Sequence, residues 1–188
     1  MFLENLSSLT AFPKAGLAVH WTIHLSFLEL ICLFDYQTHI MLIDTLQFLF
    51  NRDLNRLKEE LELYTDEENI WRIDRNILNS AGNLTLHLIG NLNTYIGAEL
   101  GGTEYQRNRP EEFALKNVPR TELISKIDQT LEVLNATLPT LTGEQMNGEY
   151  PQIVFDRTVT TEYMLVHLAT HLSYHLGQVN YHRRLLDN

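Results

Sequence analysis

Four stretches of the chain repeat apolar residues at three- and four-residue intervals, the pattern of amphipathic helices, and no stretch alternates as a strand would. The first spans about residues 41–64, where Leu46, Leu49, Phe50, Leu54, Leu57 and Leu61 form a stripe against Arg52, Lys58, Glu59 and Glu62. The second, about 79–100, carries Leu84, Leu88, Leu92 and Ile96, and Gly101-Gly102 terminates it. The third, about 119–138, turns Leu123, Ile124, Ile127, Leu131, Leu134 and Leu138 inward, with Pro119 suited to a first-turn position. The fourth, about 160–186, is capped by Thr160 or Thr161 and ends on Arg183-Arg184, which complement the helix dipole. Four such helices predict an all-α four-helix bundle. The link over residues 101–118 is too long for a tight turn and can run the length of the bundle. The second and third helices are therefore expected to lie parallel, giving an up-down-down-up order.

A chain of 188 residues has room for one domain with an appendage. The bundle is assigned to residues 41–188. Residues 1–40 form an N-terminal extension, more apolar than a four-helix domain needs, and Met41 falls at the start of the first stripe. The expectation is an extension created by a misplaced start codon; the alternative is an extra helix packing on the bundle or on a partner. Within it, residues 15–34 are long and apolar but are interrupted by His20, His24 and Glu29. A charge near a bilayer centre costs about 2.5–3.5 kcal/mol, and the start MFLENLSSLT lacks a basic n-region. Neither a membrane span nor a signal peptide is expected.

The formal charge of −10, from 14 basic and 24 acidic residues, argues against a nucleic-acid backbone binder, which needs a surplus of Lys and Arg. Cys32 is the single cysteine, so no internal disulfide can form and a cytoplasmic home is the default.

The candidate chemistry lies in the fourth helix, in His167-Leu-Ala-Thr-His171-Leu-Ser-Tyr-His175-Leu-Gly-Gln178, which holds three of the chain's eight histidines. A four-residue step drifts only about 40° around a helix, so His171 and His175 project from one face with His167 one turn earlier. Two imidazoles so placed can bind one metal ion. Met164, Leu168, Tyr174 and Gln178 share that face, a mixture suited to the wall of a partly polar cavity. His87 is the remaining histidine inside the predicted bundle away from the fourth helix, and a third ligand should come from such a facing helix. Its own face carries Ser80, Asn83, Gly90, Asn91 and Thr94, odd packing for a core and reasonable for one side of a cavity. A buried histidine among locally bonded polar groups is the competing reading. Three neutral imidazoles would leave a divalent ion with an open position, as in catalytic sites. Zinc, nickel and iron(II) all accept imidazole. Gln178 and Tyr174 are placed to support the ligands, and His167 could support them, act as a base or simply pack.

HLATHLSYHLGQ resembles the fourth-helix signature of the DinB-like (YfiT-like) superfamily, and NSAGNLTLHLIGNLNTYIGAELGGTEYQRNRPEEF resembles an uncharacterised subfamily of it. The resemblance covers about residue 41 to the C-terminus. It implies an up-down-down-up bundle, one divalent ion held by His87, His171 and His175, and a homodimer. Characterised relatives include S-transferases that use low-molecular-weight thiols such as bacillithiol or mycothiol, and maleylpyruvate isomerase-like enzymes. The superfamily's name records induction by DNA damage and not DNA binding, in line with the acidic balance here.

The expected function is a metal-dependent transferase that activates a small thiol toward an electrophilic small-molecule substrate. The alternatives are a non-catalytic metal-binding or stress-linked bundle, and an interaction module using residues 15–34. Asn91 is a further candidate beside the ligands. Arg107 and Arg109, on the long crossover, could fork onto a substrate carboxylate or phosphate, or form surface salt bridges with Glu111 and Glu112.

Overall fold

A computed structural model describes the backbone of residues 27–187 and the side chains from Met41 onward. Six α-helices order the described residues: α1 Phe27–Glu62, α2 Ala81–Leu92, α3 Arg109–Ala114, α4 Arg120–Thr137, α5 Gly143–Asn147 and α6 Thr161–Leu186. Among the described residues there is no strand, only a single antiparallel bridge between Glu149 and Thr160. No helix among them is long and apolar enough to cross a membrane.

The four long helices are those the apolar stripes predict, with shifted ends. Helix α1 extends back past Met41 to Phe27, the first described residue; residues 27–40 contain neither Pro nor Gly, so nothing in the sequence stops the helix at the first stripe. Residues 1–26, which hold much of the apolar 15–34 segment, lie outside the described residues. Helix α2 is capped by the Ser80 side chain, which accepts from Asn83 N, and is continued by a π-helical turn over Asn93–Ala98. In that turn Glu99 N reaches Thr94 O at 3.1 Å, and Gly101 N reaches Ile96 O at 2.9 Å. Gly102 then takes a φ of +65°, a conformation glycine adopts without strain, and ends the element. Pro119 stands just outside α4 at the N-cap and not in the first turn, with an extended ψ of 141°. Thr160 caps α6 by accepting from Tyr163 N.

Helix α1 packs on α4 and α6, and α2 packs on the same two helices. The shared core holds Phe50, Leu54, Leu57 and Leu61 from α1, Leu88 and Leu92 from α2, Leu123, Ile127 and Leu134 from α4, and Leu165, Leu168 and Leu172 from α6, all essentially inaccessible. Full burial of one such side chain contributes about 1.5–3 kcal/mol, so twelve of them dominate what holds these helices together.

Helix α2 is buried on every side, and all twelve of its residues are inaccessible or nearly so. Its apolar stripe meets α4 and α6. Its polar face, including Asn83 and His87, is covered by α3, a six-residue helix inside the crossover. That short helix places the crossover directly behind His87.

Candidate metal centre

Three elements meet around His87. From α6 come His171 and His175, one turn apart; α2 supplies His87; α3 and the segment before it supply Glu112 and Arg107. One nitrogen from each of the three histidines lies within 4.8 Å of the others, a grouping that could hold a metal ion. His87 Nε2 stands 3.1 Å from His171 Nε2. Two imidazole nitrogens on one tetrahedral ion, each about 2.05 Å from it, would be about 3.4 Å apart. The His87 and His171 rings cross at 79°, and the His171 and His175 rings at 90° with centroids 4.4 Å apart.

The hydrogen bonds behind the rings fix which nitrogen faces inward. Glu112 Oε2 lies 3.0 Å from His87 Nδ1. A carboxylate only accepts, so Nδ1 carries the proton and Nε2 presents its lone pair. Gln178 Oε1 lies 2.6 Å from His175 Nδ1 and imposes the same tautomer there. Burial, followed by repulsion from His175, His87, His167 and Arg107, lowers His171 to about 4. His175 is lowered too, chiefly by burial. His171 and His175 are therefore neutral near pH 7, the state a metal ligand requires.

Glu112 is buried to 6% exposure, yet it titrates below the usual carboxylate range. Burial alone would push it up, and hydrogen bonds from His87 and Arg107 together outweigh that. Arg107 donates from Nε to Oε1 at 2.6 Å and from Nη2 to Oε2 at 2.9 Å. Its guanidinium also lies 5.8 Å from the centroid of the Tyr95 ring.

The other sequence-derived candidates fall in different places. His167 stacks on His171, with centroids 5.8 Å apart, and meets Phe155 edge-on at 4.7 Å; burial lowers its pKa. Tyr174 is 65% exposed, and its ring rests on that of His175 while its hydroxyl makes no hydrogen bond among the described residues. Asn91, one turn after His87, is buried with its Oδ1 unpaired. Arg109 is exposed at the start of α3, so it does not stand beside Arg107 as half of a fork.

The polar face of α2 does a different job from the cavity wall its composition suggests. Ser80 Oγ donates to Asn83 Oδ1 at 2.6 Å, and Asn83 Nδ2 donates to the carbonyls of Glu112 and Leu115 at 3.0 and 2.9 Å. Thr94 Oγ1 bonds back to Gly90 O. These small and polar residues bind the crossover backbone or their own helix. Glu112, which the sequence offers only as a surface salt-bridge partner for Arg107 and Arg109, is instead buried; the start of α3 is legible in Asn108-Arg109-Pro110-Glu111-Glu112, a proline in the first turn followed by two acids.

Fold and site together define an all-helical domain with a three-histidine cluster that could hold a metal ion. The chain belongs to the family described as "Protein of unknown function (DUF1572)", whose model matches residues 35–188. A search of curated proteins finds no match. Among solved structures the chain is similar to "Crystal structure of the conserved protein of locus from Enterococcus faecalis". The two are 21% identical at a TM-score of 0.59, over 76% of this chain and 95% of that one. At that identity the likeness carries the fold alone.

Proposed function

We propose that this protein is a metal-dependent member of the DinB-like superfamily, in which His87, His171 and His175 hold one divalent ion and a low-molecular-weight thiol is activated for transfer to an electrophile. The observation that carries the reading is the convergence of three imidazoles with no fourth Cys, His, Asp or Glu in the group among the described residues. A closed structural site needs four protein ligands, whereas three leave a position for a ligand from solution. Zinc, nickel and iron(II) all suit the donor set. When bound, such an ion supplies Lewis acidity sufficient to hold a thiol as thiolate near neutral pH. Gln178 and Glu112 keep two of the rings in the required tautomer, and neutral His167 stands one turn from the cluster as a proton acceptor.

An up-down-down-up order is supported by the sequence in which the helices touch. Glu60 meets Asn180 and Arg183, while the Leu42–Asp53 part of α1 lies along Val166–Ser173, so α1 and α6 step together. Lys58 meets Asp128 and Gln47 meets Asn135, so α1 and α4 step oppositely. Asn93 meets Thr130, and Gly97 faces Val133, so α2 and α4 step together. A homodimer and a cytoplasmic home follow from the resemblance and from the lone cysteine.

The test loads chelator-stripped protein with zinc or nickel and screens a panel of small thiols against electrophiles. Metal-dependent thiol consumption that disappears in His171→Ala is expected. A protein that holds a full complement of ion and turns over none of the panel would favour the non-catalytic metal-binding reading.

A further inference from the structure

A buried carboxylate is held behind His87 by machinery that a surface salt bridge does not need. Both oxygens of Glu112 are engaged, Oε1 by Arg107 and Oε2 by Arg107 and His87. The facing side of α2 is shaped to receive it. A Cβ on Gly90 would stand 2.1 Å from Glu112 Oε1, so any larger residue there would force the carboxylate out of its present position. Asn83, one turn before His87, clasps the carbonyls of Glu112 and Leu115 and so fixes the C-terminal end of α3. Asn83, His87 and Gly90 recur at four- and three-residue steps, one face of one helix, and all three meet α3 or the side chain it carries.

Resting on the reading of the histidine cluster as a metal centre, we infer that Glu112, oriented by Arg107, is its positioning residue. By accepting from His87 Nδ1 it directs the Nε2 lone pair toward His171 and His175, so docking of α3 on α2 sets the affinity of the cluster for an ion. Arg107 Nη2 also lies 3.3 Å from His87 Nδ1. That contact is longer than the 2.9 Å bond from the same nitrogen to Glu112 Oε2, so Arg107 serves the carboxylate and leaves Nδ1 to donate. Partners of this kind typically change metal affinity by about 10–100-fold when removed.

Two variants separate positioning from folding. In Glu112→Gln the amide keeps one acceptor; Arg107 claims it, and the NH2 group then faces His87 Nδ1 and favours the wrong tautomer. In Gly90→Ala the carboxylate keeps its charge but loses its place. Cobalt(II) titration of chelator-stripped protein, followed by the d–d absorption, should give affinities about 10–100-fold weaker for each variant, with far-UV circular dichroism unchanged. Nitrogen-15 spectra of the metal-free protein should show His87 as the Nδ1–H tautomer in the wild type and shifted toward Nε2–H in Glu112→Gln. A wild-type His87 protonated on Nε2, or two folded variants that bind cobalt within threefold of wild type, would overturn the inference. If Gly90→Ala does not fold, Glu112→Gln and the tautomer decide. A wild-type protein that takes up no cobalt overturns the metal reading itself, and the tautomer alone then decides whether Glu112 positions His87.

Discussion

Replacing Tyr64 by Phe removes one hydroxyl just beyond the C-terminal end of α1 and should cost more stability than its size suggests. Tyr64 Oη lies 2.6 Å from His182 Nδ1, and His182 Nε2 lies 2.8 Å from the carbonyl of Arg72. That carbonyl can only accept, so Nε2 carries the proton and Nδ1 must receive one from Tyr64. Burial pushes the Tyr64 hydroxyl up and His182 down, which keeps the pair as neutral donor and neutral acceptor. Both side chains are nearly inaccessible, at 2% and 3% exposure. In Tyr64→Phe the ring still fills its site, but Nδ1 is stranded, and tautomer exchange would strand the Arg72 carbonyl instead. Leaving one buried acceptor unpaired costs about 1–3 kcal/mol, equivalent to a fall in Tm of about 2–12 °C for a domain of this size. Thermal unfolding by circular dichroism at pH 7.5 in chelator measures it without a contribution from metal. The double variant Tyr64→Phe/His182→Leu removes the stranded Nδ1 but leaves the Arg72 carbonyl without its donor. It should therefore stay below the wild type while losing less than the sum of the two single variants, a non-additivity expected only of partners. A fall below 1 °C in the single variant, or strict additivity in the double, would show that Tyr64 and His182 are not a buried donor and acceptor pair.

Acidification should weaken the metal-free protein in the window where its histidines resist protonation. His171 is lowered to about 4, and burial lowers His167, His175 and His182 as well. Unfolded imidazoles titrate near pH 6.5, so between about pH 4 and 6.5 the unfolded chain binds more protons and stability falls as pH falls. Urea midpoints at pH 7 and pH 5 should differ in that sense, and equal midpoints would contradict it. A protein beginning at Met41 keeps the α1 core residues from Ile43 to Leu61 and should unfold cooperatively with unchanged metal content. Aggregation or lost helicity in that protein would make the upstream residues part of the fold.

The long helices were readable in the sequence because burial imposes a period that survives without knowledge of partners. Leu54, Leu57 and Leu61 are inaccessible for the reason their spacing suggests. The reach of α1 back to Phe27 was not readable, since residues 27–40 pass from an apolar run into the polar Asp35–His39 stretch without a stripe and carry no stop signal. His87, His171 and His175 could be singled out because two share a helix face and a third had to come from another helix. Glu112 could not, because its place depends on how a crossover 25 residues away from His87 folds back. The same long-range docking hides the role of Asn83 and Gly90, which face the crossover and not a ligand cavity. Their polarity and small size do signal a non-apolar neighbour, but local sequence does not say whether that neighbour is a ligand or the protein's own backbone.

Whether the three histidines hold metal together is measured most directly by the ion content of single variants. Purified without chelator, the wild type should carry about one divalent ion per chain by elemental analysis. His87→Ala, His171→Ala and His175→Ala should each lose most of it, because a three-ligand site keeps little affinity with any one ligand gone. His167→Ala should retain it. A His87→Ala protein with a full complement of ion, beside helix-six variants that lose theirs, would contradict the shared centre and with it the open position proposed for thiol activation.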